Sequence, residues 1–141
     1  MATPAYLKAH GTPLHPNELS KFDCLTLSSD ASQTRGWAFN IPNNSGDLEV
    51  NYLRPDGPLD CSDGQVLHDW CLAGYGIAWR STWEVKAEIA DGQLVALLED
   101  FAAPPNGIYA VFPQRKHMAL RVRLWIDFLK DNYGQVGFLN N

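Results

Sequence analysis

Between residues 62 and 98 the sequence switches repeatedly between helix punctuation and strand content, and that alternation confines the chain to an α/β fold. Ser62 and Gln65 stand three apart ahead of Val66, Leu67, Trp70 and Cys71, the spacing of a capping box. In such a box Ser62 caps the helix and Gln65 reaches back to its amide. Gly74 is placed to end that helix, and Gly76-Ile77-Ala78-Trp79 reads as a short strand. Ser81-Thr82-Trp83-Glu84 repeats the box and opens a second helix, with Val85 and Ile89 four apart and Gly92 as its stop. Leu94 to Leu98 then has the content of a strand.

The flanks extend the pattern. Thr3 before Pro4 predicts a short helix over 4–10, closed by Gly11, and a second helical turn starts at Pro16. Cys24 to Ser28 has the content of a buried strand. Trp37–Asn40 and Leu48–Leu53 alternate apolar with polar or small residues around Asn43-Asn44-Ser45-Gly46, which predicts a hairpin with one face in the core. Arg54 to Pro58 is a turn by composition, Ile108–Phe112 a further strand ended by Pro113. Met118, Val122, Trp125 and Leu129 mark a final amphipathic helix.

With 141 residues, of which 45% are hydrophobic and 19% charged, the chain can bury one sizeable core without staples. Its net charge of -5 has the wrong sign for gripping phosphates, so this stretch by itself is not expected to bind DNA. Arg115, Lys116, His117, Arg121 and Arg123 gather near one helix start, but without an aromatic stacking platform they read as a solvated face. Cys24, Cys61 and Cys71 contain no CxxC and read as reduced thiols of a cytoplasmic protein. No run of about 18 apolar residues is available for a membrane span.

Chemistry is sparse. The four histidines share no metal-site spacing, and neither GxSxG, SxxK nor a phosphate-binding glycine loop occurs. Asp60 and Asp63 could pair as acid and base, but carboxylates just before a helix are what its dipole favours. No catalytic role, metal or cofactor is therefore expected. The sequence does place two helix starts, after Ser62-Asp63-Gly64 and after Ser81-Thr82, beside the ends of short strands. Ligands, anions above all, settle at such crevices in open α/β sheets.

Thr3-Pro4-Ala5-Tyr6-Leu7-Lys8-Ala9-His10-Gly11-Thr12-Pro13 resembles the "SPAYLxxHGxP" segment of the effector-binding domains of LysR-type transcriptional regulators. Asp63-Gly64 with Leu72-Ala73-Gly74-Tyr75-Gly76-Ile77-Ala78, Gly92-Gln93-Leu94-Val95 with Leu98, Tyr109 to Pro113, and Arg121-Val122-Arg123 with Phe128-Leu129 follow that family's later motifs in order. The resemblance implies a type 2 periplasmic-binding-protein-like fold, a mixed sheet flanked by helices, of which this chain is a part. Residues 5–101 would form the second subdomain, 108–113 the returning hinge strand and 117–132 a helix of the first subdomain. The family's helix-turn-helix is absent, so DNA would be reached only through an N-terminal domain outside this sequence. Where many members carry proline after "GIALL", this chain has Ser81, next to the cation Arg80.

Carried over residue by residue, the resemblance implies an effector cleft lined by Ser62, Asp63 and Gly64 on one side and Gly76, Ile77, Trp79 and Ser81 on the other, with Thr3, Pro4 and Val111 as hinge. The expected ligand is a small organic anion, the expected assembly a homo-oligomer, and the expected role the control of transcription by a parent protein without membrane attachment. The competing reading is a stand-alone interaction or oligomerisation module, resting on the apolar face of the last helix.

Overall fold

In a computed structural model, residues 1–27, 36–43, 45–103 and 119–134 are described, with side chains through Asp131. They fall into two compact units, Met1–Pro104 and Pro105–Asn141, taken separately below. Val111, Ser28, Asn44, Met118, Arg115 to His117 and the strand expected over Ile108–Phe112 lie outside the described residues.

The first unit is built on a three-stranded parallel sheet of β1 (Cys24–Leu27), β4 (Leu59–Cys61) and β5 (Ile77–Ala78), in the order β4-β1-β5. Leu25 pairs with Leu59 on one side and Ala78 on the other. All three strands therefore present their carboxyl ends to the same edge. Met1 continues the sheet beyond β5, its nitrogen donating to Ala78 O at 2.9 Å and its carbonyl accepting from Ala78 N at 2.9 Å. Helix α1 (Pro4–His10) starts as the sequence predicts: Thr3 Oγ1 accepts from Tyr6 N at 3.3 Å, and Gly11 ends the helix at φ 87°. Tyr6 anchors α1 to the lead-in of β1, its hydroxyl accepting from Asp23 N at 3.0 Å. A 3-10 turn, Pro16–Lys21, fills the approach.

A separate antiparallel pair, β2 (Trp37–Pro42) and β3 (Leu48–Leu53), forms the expected hairpin. β2 buries Trp37 and Phe39, whereas Leu48, Val50 and Tyr52 of β3 are exposed and only Leu53 at its end packs against the core. The expected core face is thus half of what alternation in both strands suggested. Asn43 Oδ1 closes the turn by accepting from Ser45 N and Asp47 N at 2.9 and 3.0 Å.

Helix α2 (Gly64–Leu72) buries Leu67 and Cys71 against the sheet. Its cap is Asp63 rather than Ser62. Asp63 Oδ1 accepts from Gln65 N at 2.7 Å and Val66 N at 3.2 Å, while the Gln65 side chain turns to Asp69 at 2.9 Å. A carboxylate at the helix N-terminus makes charge-assisted bonds that a hydroxyl cannot match. The second capping box also fails to form. Glu84 is held by Arg80 at 2.7 Å, so its carboxylate is engaged away from the Ser81 amide. Residues 82–84 become a turn, and helix α3 (Lys86–Ala90) begins later, from Val85, without a side-chain cap. The strand expected over Leu94–Leu98 reduces to one bridge between Val95 and Ala2. Leu98 then adopts φ 59° and leads into a 3-10 turn, Glu99–Phe101. A short stretch paired at one residue cannot sustain a ladder.

The second unit contributes helix α4 (Leu120–Gly134), inside which the Trp125 and Phe128 rings stack at 5.4 Å.

Burial separates the three free thiols. It pushes Cys24 up to about 12 and raises Cys71, because the thiolate loses its hydration. Cys61 is only half-buried and points its sulfur at Asp63 O, 3.2 Å away. At pH 8 a disulfide dye is expected to titrate Cys61 promptly, and Cys24 and Cys71 only after unfolding. Prompt release of three equivalents would show that the core opens readily.

Candidate functional site

A cavity of ≈ 440 Å³ opens at the carboxyl edge of the parallel sheet. Its floor is β1 itself, through Leu25, Thr26 and Leu27, with Leu67 of α2 beside them. One wall comes from Gly36, Trp37, Arg54 and Pro55, the other from Trp79, Arg80, Ser81 and Glu84, which follow β5. Strand ends build the crevice because the chain must leave the sheet there to reach its next element.

Of the residues expected to line a cleft, Trp79 and Ser81 face this cavity. Gly64 stands behind it: a Cβ there would lie 2.7 Å from Arg80 Nη1, so glycine lets the guanidinium lie against the start of α2. Ser62 and Asp63 are exposed at the α2 cap and are not among the lining residues. Asp63 occupies two of the amides that an anion would use. Gly76 and Ile77 are buried. A Cβ on Gly76 would overlap the Asp23 carbonyl, to which Ile77 N donates at 2.8 Å, and Ile77 belongs to the core around Tyr6. Thr3, one position after the Ala2–Val95 bridge, is the buried cap of α1, and Pro4 is the helix's first residue.

Sequence reasoning missed Thr26, Trp37, Arg54 and Glu84. They reach the cavity from separate elements, and only the chain's path around β1 unites them. Arg80 was marked by its position next to Ser81.

Electrostatically, two guanidinium groups, Arg54 and Arg80, and one carboxylate, Glu84, line the cavity. The hydroxyls of Thr26 and Ser81 and the two indoles of Trp37 and Trp79 complete a surface that is apolar with a cationic corner. Most ligand pockets combine an apolar lining with a few orienting polar groups in this way. Among the described residues no group of three or more His, Cys, Asp or Glu side chains is placed to hold a metal ion, and no helix is long and apolar enough to cross a membrane.

The LysR substrate binding domain family matches residues 1–134 of the chain. The chain belongs to this family. Its relatives include the HTH-type transcriptional regulator DmlR of Escherichia coli (strain K12), 33% identical over 95% of this chain and 42% of that protein. The HTH-type transcriptional regulator CrgA of Neisseria meningitidis serogroup C is 33% identical over 95% of the chain and 43% of its own length. The chain thus spans less than half of these curated relatives. Among solved structures, the CrgA regulatory domain, from a LysR-type transcriptional regulator of N. meningitidis, overlays with a TM-score of 0.69 at 30% identity, over 92% of this chain and 61% of that one. The full-length Vibrio cholerae virulence activator AphB gives a TM-score of 0.71 at 30% identity, over 93% and 43%. The mixed α/β architecture, with its parallel sheet and antiparallel pair, is accordingly the periplasmic-binding-protein-like fold of LysR regulatory domains.

Proposed function

We propose that the cavity at the carboxyl edge of the sheet is an effector site, and that a small organic anion bound there controls DNA binding and transcription by a larger LysR-type regulator. The observation that carries this reading is the position of the Arg80 guanidinium on the wall of a cavity at the carboxyl ends of the parallel strands β1 and β5. An anion gains a charge-assisted partner there, and indoles cover its apolar part.

Within this reading Trp79 and Ser81 keep the contact role that the sequence suggested, and Thr26, Trp37, Arg54 and Arg80 join them. Gly64, Asp63 and Ser62 shape the wall behind Arg80; Gly76 and Ile77 fix β5 beneath it. Residues 5–101 act as the second subdomain, 108–113 as the returning hinge strand and 117–132 as part of the first. Thr3, Pro4 and Val111 keep the hinge role that the resemblance implies. The protein works as a sensor in the cytoplasm, not as an enzyme. A ligand can shift such a regulator only by its differential affinity for two states, typically about 1–3 kcal/mol.

Homo-oligomerisation of the parent is part of the same proposal, with Leu124, Trp125 and Phe128 of α4 as its apolar surface. Sedimentation tests it, and a strictly monomeric chain that binds no hydrophobic dye contradicts it.

The site is tested by thermal unfolding with a panel of small carboxylates. At tenfold excess over Kd, binding stabilises the native state by about 1.4 kcal/mol, a rise in Tm of roughly 4 °C for a chain of this size. Ser81→Trp, which fills the mouth with an indole, is expected to abolish that rise. Unchanged stabilisation in the variant would move the site elsewhere.

A further inference from the structure

The Arg80–Glu84 pair sits on the cavity wall with an unequal use of the guanidinium. Arg80 Nη2 donates to Glu84 Oε2 at 2.7 Å. Nη1 lies against Gly64, whose missing Cβ makes the room. Nε is buried and has no hydrogen-bond partner among the described residues. Nε and Nη2 share one edge of a guanidinium, the edge that accepts a carboxylate in two parallel bonds. Glu84 fills half of that edge and leaves the other half, Nε, without a partner among the described residues. Glu84 also borders a second hollow of ≈ 380 Å³, whose lining it shares with Gln65, His68, Arg80, Trp83 and Glu88.

We infer that Glu84 is an internal stand-in for the ligand: it holds one position of the Nε/Nη2 edge of Arg80 and is displaced when a carboxylate binds that edge with both oxygens. This rests on the effector reading of the cavity and adds its recognition chemistry. A carboxylate on an apolar body is preferred over a neutral ligand of the same shape, and affinity is set by competition with Glu84. Specificity follows, because ligands able to make only one bond gain nothing over the side chain they expel.

The test is calorimetric titration of the full 141-residue chain, its Glu84→Gln and Arg80→Lys variants, with phenylacetate and its neutral amide, phenylacetamide, as probes. Removing the competing charge is expected to tighten phenylacetate binding on the order of tenfold in Glu84→Gln, while Arg80→Lys, which keeps the charge but loses the two-donor edge, weakens it on the order of tenfold or more. Phenylacetamide should respond to neither change. Should Glu84→Gln unfold, Glu84→Ala carries the same expectation. Phenylacetate binding that is equal or weaker without Glu84 overturns the stand-in and leaves the cavity reading intact. Failure of both probes to bind any of the proteins at tens of millimolar overturns the stand-in and the carboxylate-binding cavity together.

Discussion

Gly57→Ala is expected to destabilise the chain by about 3 kcal/mol or more, the upper end of what overpacking costs. A Cβ at Gly57 would overlap the carbonyl oxygen of Cys24 and stand 2.7 Å from its carbonyl carbon and 2.8 Å from its nitrogen. These are backbone atoms of the central strand, so no flexible side chain can give way. Relief requires residues 55–58 to lift off β1, and Pro55 and Arg54 line the cavity. The same substitution should therefore weaken ligand binding. Gly46→Ala is the control: its φ of 86° is strained for alanine, yet nothing lies within 4 Å of the added Cβ. Its cost should stay near 1–2 kcal/mol. Urea unfolding separates the two, and a Gly57→Ala cost below that of Gly46→Ala would mean that the segment is not seated on β1 in solution.

Leu25→Ala is expected to cost about 3 kcal/mol, within the range for deleting a fully buried leucine. Leu25 has no exposed surface and packs with Leu67, Cys71, Ala78, Val85 and Leu94, so truncation opens a void between the sheet and α2. It is also part of the cavity floor, so the void joins the cavity and ligand shape selectivity should relax together with stability. Ligand affinity that falls while selectivity is kept would place the binding surface away from β1.

The local signals in the sequence were good guides wherever one residue's chemistry decides the outcome. Thr3-Pro4 and Gly11 bound α1, and the alternation of Trp37 and Phe39 marks β2. Signals requiring a partner from elsewhere failed. β4 has three residues, too few for a period, and is a strand only because Leu25 offers it a parallel neighbour at Leu59. Glu84 carries the signature of a capping box, but a nearby guanidinium outcompetes a backbone amide for its carboxylate. The same distinction governs the site. Trp79 and Ser81 follow directly from the end of β5 and could be read from the family pattern, whereas Thr26, Trp37 and Arg54 come from distant stretches that only the folded sheet assembles. The emphasis on helix N-termini shifts for a related reason: Asp63 satisfies the α2 amides from within, which leaves the cationic side chains as the anion-attracting groups.

Binding of a small anionic effector in the strand-end cavity can be read from amide and indole chemical shifts of the isotopically labelled chain during a carboxylate titration. Saturable shifts are expected, concentrated at Thr26, Leu27, Arg80, Ser81 and the indoles of Trp37 and Trp79 and lost together in Ser81→Trp. Shifts that cluster instead on β3 or α4, or that grow linearly without saturation while the cavity residues stay still, would contradict it.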